Sequence, residues 1–422
     1  MKKIKVVLIG AGGRGTTYTN IMEKMPEKYE VVAVAEPIES RRNNIKKRHN
    51  IPDERCFTDW HPLFELGKIA DMAIIATQDR DHFDPAIAAI GLGYHLLLEK
   101  PIAPTAEECN TLTAYAIERG VKVVVCTVLR YTPVFMTLKD IIDSGKIGDV
   151  MSINHEECVG NRHQSHSFVR GNWHNEAESA CMILAKSCHD TDMLQWLVGK
   201  KCTKVQSFGT LSYFTEKNAP EGAPEYCIQG CPAAENCMYN AVKMYVDDHT
   251  YLRWIKPDIP HDELTEEIAR DVITNTDYGR CVFRCNNDVV DHQTLNMLFG
   301  DDVTVTFTMN AFNNGGRYIH IMGTKGEIRA ALNETTPITV HTFADNKNEQ
   351  IPIVGKDGIN GGHGGGDKGI IEALYLYLNN AYTGKSVPEI DESNENHLIA
   401  FAAEVSRKTN TVVDFDEYVK SL

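Results

Sequence analysis

Ile4-Lys5-Val6-Val7-Leu8-Ile9-Gly10-Ala11-Gly12-Gly13-Arg14-Gly15 is the stretch whose reading decides the fold. The apolar run Val6-Val7-Leu8-Ile9 has the length of a buried strand, and the glycines that follow fit G-x-G-x-x-G just ahead of a helical stretch. In that pattern the first glycine makes a tight turn, the second lets the backbone approach a pyrophosphate, and the third lets helix and strand pack closely. The start of the helix then offers N–H groups to the phosphates. Working outward, apolar runs recur at residues 31–35, 72–76, 96–98 and 121–125, with helical spacing at 84–92 and 106–119 between them. Short apolar strands alternating with helices predict a parallel sheet covered on both faces, an α/β doubly wound domain over residues 1–128. The second strand ends in Glu36, about 20 residues past the glycines, where an acid accepts hydrogen bonds from a ribose diol and repels a 2′-phosphate. NAD is therefore expected over NADP, with Arg14 and Arg41 as the groups that would serve a 2′-phosphate.

The rest of the chain sets limits. Its 422 residues suggest two or three domains, and 43 Lys+Arg against 58 Asp+Glu leave a net charge of −15. That balance repels phosphate backbones and anionic lipid surfaces, so neither nucleic acid nor membrane is an expected partner. No segment reaches the roughly 18 apolar residues of a spanning helix, and the apolar run near the N-terminus is too short for a signal peptide. The chain reads as cytoplasmic, which makes its 12 cysteines thiols or metal ligands rather than disulfides.

Beyond residue 128 the pattern changes. Helical stretches at 134–144 and 182–198 precede alternating, strand-like segments at 204–213, 289–299, 303–311 and 318–322. These predict an α+β domain over residues 129–422 with a large, mostly antiparallel open sheet. A helix at 393–409 is expected to pack back on the first domain. Residues 155–175 read as a polar loop, and 214–285 as a cysteine-rich insertion.

Glu99-Lys100-Pro101 follows the strand at 96–98, at the carboxyl edge of the sheet where doubly wound folds bind ligands. A lysine there can donate to, or take a proton from, a substrate hydroxyl. With these residues the chain resembles the Gfo/Idh/MocA oxidoreductases. The likeness runs through the glycine motif, Glu99-Lys100-Pro101, Arg130-Tyr131 with Pro133, and Ile141-Ile142-Asp143-Ser144-Gly145 with Ile147-Gly148. It continues through residues 187–199, which hold His189-Asp190 and Trp196-Leu197, to Gly323-Thr324-Lys325-Gly326-Glu327.

The resemblance implies a Rossmann domain, NAD(P)-dependent oxidation or reduction of sugars or polyols, and homo-oligomer contacts through the second-domain sheet. Lys100 then matches the catalytic lysine, and His189 the histidine of a D-x-x-x-H motif on the helix facing the nicotinamide. The aspartate of that motif falls on Ala185, so the neighbouring Lys186, on the same helix face as His189, is the candidate replacement. The expected cofactor set is Gly10, Gly12, Gly13, Arg14, Gly15, Glu36, Thr77, Glu99 and Lys100. The expected substrate set is Arg130, Tyr131, His166, Arg170, Trp173 and His363, the last with Asp367 in a glycine-rich lid.

Two questions stay open at this level. Cys227-x3-Cys231-x5-Cys237, with Cys281-x3-Cys285 further on, has enough thiols for structural zinc or an iron–sulfur cluster, or for thiols packed as small hydrophobes. The chemistry is expected to be a dehydrogenase acting on a small carbohydrate. The alternatives are a redox-neutral glycosidase that oxidises a sugar transiently, and a non-catalytic NAD-dependent sensor, against which the presence of Lys100 and His189 argues.

Overall fold

The computed structural model describes residues 1–257, 259–332, 336–353 and 362–422. The first sheet holds β1 (Ile4–Ile9), β2 (Tyr29–Ala35), β3 (Cys56–Phe57), β4 (Met72–Ile75), β5 (His95–Leu98) and β6 (Val123–Val125). Their order is β3-β2-β1-β4-β5-β6, with every pair parallel. Helices α1 (Gly13–Glu23), α2 (Glu39–His49), α3 (Trp60–Glu65), α4 (Phe83–Gly91) and α5 (Ala106–Arg119) connect the strands. The apolar runs lack alternation because both faces are covered: Val6, Leu8, Ile74 and Leu97 pack to one side, and Val7, Ile9, Ala73 and Leu98 to the other. Chain order reverses between β1 and β4, which opens a crevice at their carboxyl ends.

Beyond the first sheet, with α6 (Pro133–Asp143), α7 (Asn161–Gln164) and α8 (Met182–Val198) before or between them, the nine remaining strands of the described residues build a second sheet. It contains β7 (Val150–Cys158), β8 (Cys202–Thr210), β9 (His292–Phe299), β10 (Val303–Asn310), β11 (Gly316–Gly323), β12 (Gly326–Ala331), β13 (Ile338–Thr342), β14 (Lys347–Ile351) and β15 (Val413–Asp414). The order is β14-β13-β12-β11-β7-β10-β9-β8-β15, antiparallel except for β7 beside β10. One face is buried: on β10, Val303, Val305, Phe307 and Met309 point inward, while Thr304 and Thr306 are exposed. Residues 155–158, read from sequence as the start of a loop, belong to the central strand β7. There His155 is 1% exposed and stacks on Phe307 at 5.5 Å.

Two helices tie the halves together. The α11 helix (Gly366–Leu378) packs Ile370, Ile371 and Leu374 onto Val6 and Leu8 of the first sheet, and the Tyr29 hydroxyl donates to the Ile371 carbonyl at 2.7 Å. The α12 helix (Ile390–Thr409) lies against both α5 and α8, with Ile390 in the first-domain core and Leu398 and Ile399 in the second. Residues 214–285 carry α9 (Leu252–Ile255) and α10 (Glu266–Asn275) and form two small cores, one around Met244, Tyr245 and Ile273 and one around Phe214, Tyr239 and Phe283. Among the described residues no helix is long and apolar enough to cross a membrane.

Candidate active site

The site begins at the glycine loop. Gly10 takes φ +89°, and a Cβ there would lie 2.5 Å from the Ala76 carbonyl oxygen, so only glycine lets β1 turn beside β4. A Cβ on Gly15 would come within 2.1 Å of the Gly10 carbonyl oxygen, which brings α1 hard against the strand. Over Gly12 and Gly13 the space is open to 4 Å, and Gly12 caps α1 with no side-chain bond. The result is a cradle with helix N–H groups at its floor, which fits a dinucleotide pyrophosphate.

From this cradle a cleft of about 330 Å³ runs between the two domains. Its inner walls hold Gly12, Gly13, Arg14, Arg41, Thr77, Glu99, Lys100, Lys186 and His189. Lys100 is half-buried, and its Nζ donates to the Ala185 carbonyl at 2.7 Å and stands 5.9 Å from the centre of the Trp173 ring. The Trp173 indole N–H donates in turn to Asp79 at 3.0 Å, which fixes the ring as a platform beside the lysine. His189 is 5% exposed, one turn further along α8, on the same cleft wall.

Beneath them lies a network that the sequence reading missed. Lys186 Nζ pairs with Glu157 at 3.0 Å; Arg317 Nε lies 2.6 Å from the other Glu157 oxygen and 2.8 Å from Asp190; His155 Nε2 meets Asp190 at 2.8 Å. Burial alone would raise the Asp190 carboxyl, but Arg317 and His155 outweigh it and hold it far below the usual carboxylate range. Glu157 and Arg317 are directly opposed on β7 and β11. The signal for Glu157 was the β7 alternation, which places it with Ile153 and His155 on the inward face.

The outer walls are aromatic. His163, His166, Phe168 and Trp173 come from the segment before α8, while Trp254, Pro257 and Tyr278 come from the 214–285 insertion. His166 sits between Tyr251 and Tyr278 at 4.9 and 5.0 Å, and its Nδ1 lies 2.9 Å from the Tyr245 hydroxyl. Burial first, then Arg170, lowers its pKa to about 3.

Other candidates turn away from the cleft. Arg14 lines it, but its guanidinium is held by Glu99 at 2.8 Å and by both oxygens of Asp367 at 2.6 and 3.1 Å, so it clamps the glycine loop to α11. Burial would raise the Glu99 carboxyl, yet Arg14, Lys100 and the Tyr18 hydroxyl keep it below the usual range. Glu36 is 4% exposed and accepts from the Ala11 and Ile38 N–H groups at 2.6 and 2.9 Å. A carboxylate has room for further donors beyond those two.

Arg130 and Tyr131, expected to bind substrate, are structural. Arg130 is wholly buried, bonded to both Asp192 oxygens at 2.7 Å and paired with Glu392 of α12 at 2.8 Å. Tyr131 is packed against α11 and buried. Arg170, also expected at the substrate, donates instead to the Arg280 and Tyr239 carbonyls at 2.7 Å each. The His363 side chain lies outside the described residues.

Arg170 borders a small cavity with Cys227, Cys231, Cys237 and Cys281. Among the described residues no three His, Cys, Asp or Glu side chains gather as ligands for one ion, so of the two readings left open for Cys227, Cys231 and Cys237 the metal has no formed site. These thiols pack with Val282 and Phe283, and burial raises Cys237 and Cys281.

Comparison with known proteins agrees with this architecture. The profile of the oxidoreductase family's NAD-binding Rossmann fold, GFO_IDH_MocA, matches residues 4–127, and that of its C-terminal alpha/beta domain matches residues 139–356. YteT of Bacillus subtilis, named as an oxidoreductase, is 26% identical over 380 residues, covering 84% of each chain. An inositol 2-dehydrogenase of Salmonella typhimurium is 26% identical over 206 residues, which span 49% of this chain and 57% of that one. The structure of a levoglucosan dehydrogenase with NADH and levoglucosan superposes with a TM-score of 0.70 at 16% identity, covering 98% of this chain and 100% of that one. With both family profiles matched in order across more than half of its length, the chain belongs to the Gfo/Idh/MocA oxidoreductase family.

Proposed function

We propose that this chain is a NAD-dependent dehydrogenase acting on a secondary hydroxyl, or the matching ketone, of a sugar, polyol or glycoside. The observation that carries this reading is that Lys100 and His189 share one cleft with the open glycine cradle. Lys100 Nζ is held at the Ala185 carbonyl and beside the Trp173 ring, within reach of a hydroxyl lying on that ring. Lys100 takes the hydroxyl proton on oxidation and returns it on reduction, while His189 orients the same oxygen. NAD, when bound over Gly12 and Gly13, supplies the hydride acceptor. Lys186, anchored to Glu157, adds a fixed positive charge at the cleft floor that favours the developing alkoxide. The inositol and levoglucosan dehydrogenases among the similar proteins support a hydroxylated ring as substrate.

NAD is preferred to NADP because the buried Glu36 carboxylate stands at the end of β2, although Arg41 lines the same end of the cleft. The exposed face of the second sheet, with Thr304 and Thr306, is the surface through which we expect a homo-oligomer to form. The test is Lys100→Ala assayed for NADH formation on a carbohydrate panel, alongside NAD binding. Turnover is expected to vanish while NAD still binds, and turnover like the parent's discards the assignment. The aromatic outer wall favours a glycoside, which keeps the redox-neutral glycosidase as the second reading. Release of reducing sugar without net NADH would select it.

A further inference from the structure

Trp254 is 48% exposed although it lines the cleft, an unusual setting for an indole that could have packed away. Three rings hold it in place: Tyr251 at 4.9 Å, His163 at 5.2 Å and His166 at 5.5 Å, each nearly edge-on. That arrangement steers the indole while leaving it a solvent-facing surface. From Trp254 a continuous line of rings leads inward through His163 to Phe168 at 5.9 Å and on to Trp173 at 6.0 Å, where Lys100 stands. A sugar placed for chemistry lies at the Trp173 end. Its neighbour in a glycoside would lie along the line toward Trp254. Trp254, Pro257 and Tyr278 all come from the 214–285 insertion, so this part of the wall exists only because the insertion is there.

We infer that the insertion builds a second sugar subsite around Trp254, so that the substrate of the proposed reaction is a glycoside of at least two pyranose rings rather than a free monosaccharide or polyol. The inference rests on that proposed reaction for the position of the first ring. The chemistry of the wall suits a neutral sugar. Pyranose rings present C–H faces that stack on indole, and Phe168, Pro257 and Tyr278 carry no charge. Burial lowers the pKa of both His163 and His166, so the imidazoles beside the indole are neutral at physiological pH. The charged groups Lys186 and Arg317 lie with the network at the cleft floor.

The experiment compares a panel of α- and β-linked disaccharides with their component monosaccharides, reading both NADH and released reducing sugar. At least one disaccharide is expected to exceed its monosaccharides in kcat/KM by about tenfold. Trp254→Ala is expected to cut that advantage by about tenfold, mainly through KM, with Trp254→Phe keeping most of it. Disaccharides no better than monosaccharides, or an advantage unmoved by Trp254→Ala, overturn the subsite. If nothing on the panel turns over, the proposed reaction fails by itself. Calorimetric binding of the same disaccharides to the NADH-loaded protein then decides: binding lost in Trp254→Ala and kept in Trp254→Phe supports the subsite, and any other pattern overturns it.

Discussion

His166 provides a sharp test of how the insertion is fastened to the domain. Its ring is 3% exposed, sandwiched by Tyr251 and Tyr278, and its pKa is lowered from 6.5 to about 3 by burial and then by Arg170. The native state therefore keeps a neutral imidazole over a range in which the unfolded chain takes up a proton. More protons on the unfolded state mean that stability is complete above about pH 6.5 and is lost as pH falls toward 3. At pH 5 the unfolded imidazole is about 97% protonated and the native one about 1%, so this one group removes about 2 kcal/mol between pH 7.5 and 5.

His166→Phe keeps a flat ring between the tyrosines and removes the titration. It also drops the contact with the Tyr245 hydroxyl, which costs about 1 kcal/mol at both pH values. The assay is urea unfolding of parent and variant at pH 7.5 and 5.0. The parent is expected to lose about 2 kcal/mol more than the variant. Other buried histidines, such as His397 with a pKa lowered to about 4, titrate in both proteins and cancel. Equal losses in the two proteins would refute the neutral, buried imidazole and with it the packed aromatic wall.

Arg130→Ala leaves Asp192 and Glu392 facing each other without their cation, and is expected to cost about 3–5 kcal/mol in chemical denaturation while NAD affinity changes less than about twofold. A large loss of NAD binding at unchanged stability would put Arg130 back at the site. Arg170→Met removes the donors to the Arg280 and Tyr239 carbonyls, so amide exchange across residues 220–285 should rise while β1 and β4 stay protected. Glu36→Ala is expected to raise the Kd for NAD and lower that for NADP, narrowing the ratio by about tenfold or more. An unchanged ratio removes Glu36 from cofactor choice.

The first domain was legible because its signals are local. A buried parallel strand must be apolar on both faces, and the helix contact at Gly15 excludes a side chain because of the Gly10 carbonyl only five residues back. Gly10 itself stands out in the sequence through the glycine motif, although the atom it must clear, the Ala76 carbonyl oxygen, lies at the end of the neighbouring strand β4. The polar partners were not legible in the same way. Arg130 and Arg170 stand in polar, motif-rich segments and read as ligands for a substrate. What decides their roles is a carboxylate at Asp192 and two carbonyls at Tyr239 and Arg280, far along the chain. Residues 155–158 looked like a loop because His155, Glu156 and Glu157 are polar. A central strand tolerates His155 and Glu157 on its inner face only because Asp190 and Arg317 arrive to pair with them.

That same network gives a physical reading of Ala185. In the D-x-x-x-H pattern that residues 185–189 resemble, position 185 would carry an aspartate in place of this alanine. Here the Ala185 carbonyl accepts from Lys100 Nζ instead, and the carboxylate comes from Glu157 on the sheet, which pairs with Lys186. Glu157 is also shared with Arg317, which Asp190 binds from the other side. An aspartate at 185 would add a third carboxylate beside Glu157 and Asp190, and would compete with the carbonyl for Lys100. Desolvation makes such surplus charge costly in a buried floor. The alanine fits a site whose anion stands on the strand rather than the helix, with Lys100 positioned by the Ala185 carbonyl and Lys186 lining the cleft while paired to Glu157.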